Sequence, residues 1–295
     1  MGSRIVAVVD SQQAPDELES LPAHFEAWEQ TLSRFRNDSE LCELNRHAGV
    51  PVAVSRTLWD LFEAAREADR ITGGLVNPLV MDALEQAGYD RSFDRMEFGA
   101  GLPGSSAEFQ FVPSLETVTA HEERRTIQLP AGTQLDFGGV AKGWAAEQSM
   151  RSLRSYGPAL VGAGGDIAIS APRSDGEPWE IAVDDPFRQG QYIESLFVDR
   201  GGIATSGRDY RRWMRGGIPQ HHIIDPRTGR PAATDILAAT VIAPTVMLAE
   251  AAAKAILILG SEAGLSWLEA DESLAGLLVL EEGRCLQSRS LDRYL

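Results

Sequence analysis

Four stretches of this chain bring together residue types that can do chemistry. The first, Leu135-Asp-Phe-Gly-Gly-Val-Ala-Lys-Gly143, joins an apolar run to a double glycine, the start of a helix and a lysine. Glycine lets backbone come close to a ligand, the first amides of a helix point outward without partners, and Lys142 adds a positive charge, so the segment suits a pyrophosphate. The same residues also suit a tight strand-to-helix turn capped by Asp136. The segment is neither a P-loop nor a G-x-G-x-x-G fingerprint. The second stretch, Gly162-Ala-Gly-Gly-Asp166, is a glycine cluster closed by a carboxylate, and it reads equally as a plain loop between strands. The third, His221-His-Ile-Ile-Asp-Pro-Arg-Thr-Gly-Arg-Pro231, delivers His222 and Asp225 ahead of a Pro/Gly turn. A histidine beside a carboxylate can take the proton from a hydroxyl nucleophile, and a His-His pair is also a common structural arrangement. The fourth is Glu250 with Lys254, one helical turn apart in the order of a surface ion pair worth about 0.2–0.5 kcal/mol, which requires no function.

The elements that position these stretches follow from the periodicity. Ile5 to Val9 reads as a strand. From Pro15 to Ser33, Leu18, Leu21, Phe25, Trp28 and Leu32 recur at helical spacing, with Pro22 a local strain. Asp38 or Ser39 caps a helix carrying Leu41 and Leu44. Ser55 caps another whose buried stripe is Leu58, Leu61, Phe62, Ala65 and Ala68, stopped by Gly73-Gly74. Asn77-Pro78 opens a short helix over 79–88, and residues 90–114, rich in Gly, Ser and Pro, read as a surface excursion. Strands are then expected at 117–120, 125–129 and 134–137, with a helix launched by Gly138-Gly139 and running to about Tyr156. Further short strands are expected at 159–161, 167–170, 179–183, 195–198, 222–224 and 239–243. A helix over 245–259, a helix over 263–269 and a strand over 274–280 complete the reading. Helices and strands mix without a strict alternating beat, so the fold class is α+β. The expected organisation is one domain, 1–295, of two lobes, helix-rich to about 115 and strand-rich from 116, with a cleft between them.

Composition limits the partners. The chain has 295 residues, 43% of them apolar, enough to build a large core. Its 27 Lys and Arg stand against 43 Asp and Glu, a formal charge of -16, and a field of that sign repels nucleic acid and anionic membranes. Any phosphate ligand must therefore find locally concentrated positive charge. Cys42 and Cys285 lie far apart and outside any zinc or redox spacing, so both read as ordinary thiols. The opening MGSRIVAVVD is too short in its apolar run for a signal peptide, and the most apolar stretch, 236–260, is interrupted by Pro244, Glu250 and Lys254, so a cytoplasmic protein without a membrane segment is the expectation.

Taken in order, TLSRFRNDSELCELN, TGGLVNP, LDFGGVAKG, GAGGD, ATSGR and HHIIDPRTGRPA resemble the successive motifs of the FAD:protein FMN transferase (ApbE-like) family over almost the whole chain. The resemblance implies a two-lobed α+β fold with FAD stretched across the cleft, and FMN transfer to a Thr or Ser of an acceptor flavoprotein with release of AMP. Met1 falls at the family's opening position. Phe35 stands where the family usually has a tyrosine against the isoalloxazine, and Leu75, Val76 and Asn77 match the family's Ala-Phe-Asp segment beside the flavin. Asp136 and Lys142 match FAD contacts, Ile224 approaches the nucleotide through its backbone, and His222 matches the family's essential histidine. A magnesium ion is implied near the pyrophosphate, with the Gly139 carbonyl as one ligand. Glu250 and Lys254, however, stand where the family has metal-ligating Asp and Thr. A protonated lysine cannot ligate, and its ammonium fills the place of the cation. That departure keeps two alternatives open: an FAD-binding protein of this fold without transferase activity, and an FAD pyrophosphatase.

Overall fold

A computed structural model describes residues 3–96 and 111–295; Met1 and most of the expected excursion at 90–114 lie outside the described residues. Seven α-helices are described: α1 (Asp16–Leu32), α2 (Glu40–Arg46), α3 (Arg56–Ile71), α4 (Met81–Ala87), α5 (Ala141–Leu153), α6 (Val246–Leu259) and α7 (Ser261–Glu269). Together with the sheets they make an α+β protein. The chain forms two compact units whose segments interleave. One comprises Ala23–Ala141 and Tyr210–Ala232, the other Ser3–Pro22, Lys142–Asp209 and Ala233–Leu295. The change in composition near residue 115 thus follows a different course from the contacts.

In the unit containing Ala23–Ala141, the caps act as the sequence implies. Ser39 Oγ accepts from the Cys42 amide at 3.1 Å and Ser55 Oγ from the Leu58 amide at 3.2 Å, starting α2 and α3. Leu58, Leu61, Phe62, Ala65 and Ala68 are all buried along α3. Gly73 and Gly74 end it at φ +59° and +85°, conformations that side-chain-bearing residues seldom adopt, and the Gly74 amide donates to the Asp69 carbonyl at 2.8 Å. A small antiparallel sheet, Val52–Ala53, Thr126–Gln128 and Thr119–His121 in that order, and two hairpins complete the unit. The hairpins pair Arg212–Arg215 with Ile218–His221, and Ile224–Asp225 with Arg230–Pro231. Ala83, Leu84, Ala87, Tyr89, Trp213 and Ile224 share one apolar cluster.

The other unit is built on a seven-stranded sheet in the order Ile5–Val9, Ala159–Ala163, Asp166–Ile169, Gly201–Gly207, Ile236–Ala243, Ala275–Leu280 and Cys285–Gln287, antiparallel throughout. Thr245 caps α6 through its hydroxyl, which accepts from the Leu248 amide at 3.2 Å. The small residues Ala249, Ala251, Ala252, Ala253 and Ala255 of α6 are buried. The strand beneath the helix is equally pared down, since a β-carbon on Gly202 would lie 2.2 Å from the Val246 backbone.

One expected strand is absent, another is displaced, and several short strands, together with the longer Gly201–Gly207, were unforeseen. Residues 134–137 form no ladder: the amide of Asn45 takes the place of a partner strand, accepting from the Leu135 N–H at 2.8 Å and donating to its carbonyl at 2.9 Å, while the Asp136 N–H donates to the Pro78 carbonyl at 2.8 Å. His222 and Ile223 fall between two strands rather than inside the one expected at 222–224. Gly201–Gly207, at the centre of the large sheet, shows no alternation in its sequence.

Candidate functional site

The turn that opens with Leu135 is organised by a buried ion pair. Asp136 lies 2.5 Å from Nε of Arg34, and its Oδ1 accepts from the Gly138 amide at 2.5 Å. A β-carbon at Gly138 would lie 2.8 Å from that oxygen, so glycine here makes room for Asp136. Arg34 also donates to the Tyr89 carbonyl at 2.8 Å and stacks its guanidinium 4.4 Å from the ring centre of Phe35 and 4.8 Å from that of Tyr89. Tyr89 continues the stack to Trp213 at 5.5 Å. Phe35 remains 40% exposed, leaving aromatic surface for a flat ligand. Arg34 holds this arrangement together and was missed in the sequence. Its only signal was its place beside Phe35 in TLSRFRND.

Val76 and Asn77 are buried, and Leu75 is half-buried. The Asn77 amide is engaged at both ends, accepting from the Leu79 N–H at 2.8 Å and donating to the Pro113 carbonyl at 2.9 Å, so it shapes its loop. His221 and His222 divide the roles of their pair. His221 is buried, with Nε2 3.2 Å from the Ala232 carbonyl and Nδ1 accepting from the Ile223 amide at 3.3 Å, a structural use. His222 is half-buried between the strands Ile218–His221 and Ile224–Asp225. Ile224 is buried with its backbone paired to Pro231. The Asp225 carboxylate is committed to Arg227, whose N–H, Nε and Nη2 all lie 2.9 Å from it. The structure therefore uses Asp225 to set the Pro/Gly turn.

In the unit containing Lys142, α5, α6 and the strand Asp166–Ile169 bring two lysines and two buried carboxylates together. Glu250 Oε2 accepts from the Gly143 amide at 2.9 Å. A β-carbon at Gly143 would stand 2.6 Å from that oxygen, so only glycine admits the contact. Oε1 of Glu250 faces Lys254 Nζ at 3.0 Å and Lys142 Nζ at 3.4 Å, and Lys142 also pairs closely with Asp166. Burial works to raise the Glu250 carboxyl, but Lys254 and Lys142 overcome it and hold the group below its ordinary range. Asp166 moves the other way: burial, then the charge of Glu250, push it up to about 7 against the pull of both lysines.

These residues do not fit the magnesium that the sequence resemblance implies. Both oxygens of Glu250 are taken, one by a backbone amide and the other by two ammonium groups, and a cation would have to enter where positive charge already stands. Among the described residues no cluster of three or more His, Cys, Asp or Glu side chains could hold a metal ion.

The ApbE family pattern matches residues 1–278 of the chain. The chain belongs to the ApbE family. The FAD:protein FMN transferase of Treponema pallidum is 31% identical over 283 residues, spanning 89% of this chain and 76% of its own. The enzyme of the same name from Vibrio cholerae is 28% identical, spanning 90% of this chain and 79% of its own. The crystal structure of the ApbE protein of Thermotoga maritima superposes with a TM-score of 0.87 at 24% identity, covering 99% of this chain and 96% of that one, so the ApbE fold is shared throughout. Met1, at the opening of the ApbE-like pattern, lies outside the described residues.

Proposed function

We propose that this protein is an FAD:protein FMN transferase, moving FMN from FAD onto a Thr or Ser hydroxyl of an acceptor flavoprotein. The reading is carried by the family match across residues 1–278, with relatives of that name aligned along most of the chain. In the step, the acceptor oxygen attacks the phosphorus on the riboflavin side of the pyrophosphate. A new phosphoester bond forms, the bridging P–O bond breaks, and AMP departs. His222 receives the hydroxyl proton. The exposed ring of Phe35, held by Arg34 and Tyr89, supports a role as flavin platform, with Leu75, Val76 and Asn77 shaping the adjoining loop. Asp136 acts by fixing the glycine turn, Ile224 contributes backbone, and Lys142 balances phosphate charge. No part of this step is assigned to a metal.

Incubation with FAD and a threonine-bearing acceptor flavoprotein tests the reading. AMP and covalent fluorescence on the acceptor are the expected products. His222→Ala should lower their formation by about 10²–10⁴-fold while FAD affinity stays within about twofold. AMP with free FMN would instead mark a pyrophosphatase. FAD bound without either product would mark a binding protein, the reading that the Glu250–Lys254 ion pair favours.

A further inference from the structure

We infer that Lys254, together with Lys142, is a built-in cation for the FAD pyrophosphate, so that this chain binds its dinucleotide without a divalent metal. The inference rests on the transferase reading for the identity of the ligand, and on the α5–α6 cluster for the chemistry.

The geometry excludes the alternative use of the same residues. Glu250 Oε1 is shared by two ammonium groups at 3.0 and 3.4 Å, whereas a magnesium ion requires its oxygen ligands at about 2.0–2.1 Å and would have to stand inside that pair of positive charges. Glu250 Oε2 cannot turn to a metal without abandoning the Gly143 amide, in a space so close that no β-carbon fits at position 143. Lys254 sits at the position that the sequence resemblance gives to a ligating hydroxyl, and an ammonium donates where that hydroxyl would coordinate.

The cluster is also suited to receive an anion. The side chains of Lys142 and Lys254 keep 20% and 13% of their surface while Glu250 and Asp166 keep 1% each, so the cations face outward over buried carboxylates. Glu250 engages two of the three donors of Lys254, through Oε1 at 3.0 Å and through its backbone carbonyl at 3.4 Å. That grip fixes the ammonium, and among the described residues it leaves the third donor for a phosphate oxygen. Lys142 comes from the first turn of α5, at the positive end of that helix's dipole. Pinning by buried carboxylates does for these two flexible side chains what coordination does for an ion: charge is held in place before the ligand arrives.

The test reads FAD affinity by flavin fluorescence quenching, in EDTA and in millimolar magnesium, and reads magnesium binding alone by calorimetry. Wild-type protein should bind FAD with affinities within about twofold in the two conditions, and should show no heat with magnesium. Lys254→Thr should lose about tenfold or more in EDTA, the scale of one charge-assisted contact, and should recover in magnesium. FAD binding by the wild type that requires magnesium, or saturable magnesium heat without FAD, overturns the inference and leaves the transferase reading intact. No FAD binding in either condition overturns both. Should Lys254→Thr fail to fold, the two wild-type measurements still decide.

Discussion

Asp69 carries a carboxylate that the fold does not support. It lies half-buried in the last turn of α3, where carbonyls already concentrate negative potential, and its Oδ1 is buried with no hydrogen-bond partner among the described residues. Burial, and then the charge of Glu116, push its pKa from 3.8 to about 6. Because the folded value is the higher one, the folded state holds a proton that the unfolded state has released; stability is therefore greatest below 3.8 and is lost as pH rises through about 6. Asp69→Asn removes the penalty. Urea unfolding should show a gain on the order of 1 kcal/mol at pH 8, after discounting for solvent screening, and almost none near pH 4. An equal gain at both values would refute the account. Residues at the candidate site were unevenly legible for a related reason. Phe35, His222 and Lys142 are recognisable by type and motif. Arg34 is one of many arginines until the fold sets it between two rings and Asp136, and the pairing of Asp225 with Arg227 emerges only when the turn folds.

Helices and strands were legible where the chain writes its own boundaries. Ser39, Ser55 and Thr245 each accept an amide in the following turn, a local interaction that sequence spacing encodes directly. Gly201–Gly207 escaped because Gly-Gly-Ile-Ala-Thr-Ser-Gly records the closeness of α6 in place of a two-residue alternation. Its partner residues are far away in sequence, among Asp166–Ile169 and Ile236–Ala243. Gly202→Ala tests this origin. The added carbon would meet Val246 backbone at 2.2 Å, and backbone cannot swing aside like a flexible side chain. The variant should lose at least about 3 kcal/mol, a fall in Tm of about 10 °C, measurable by calorimetry. An unchanged Tm would show that α6 can shift off the sheet.

For the molecule as a whole, acidity and stability pull apart. The formal charge of -16 at pH 7 falls to zero near the sequence pI of about 4.7. Light scattering at constant protein concentration should show greatest self-association near that pH, even though Asp69 makes the individual fold more stable there than at pH 8. Addition of salt at pH 7 should promote association far more than it alters Tm. The ordered motifs disclosed the family because they record one ancestral arrangement. Composition could not disclose the interleaving of the two units, because it averages over exactly the long-range pairings that define them. One such pairing has a chemical corollary. Asn45 reads both polar groups of Leu135 with one donor and one acceptor, from ninety positions away. Deamidation there would change no volume yet set two oxygens face to face, so slow hydrolytic ageing of a single nitrogen would loosen the loop that carries Asp136.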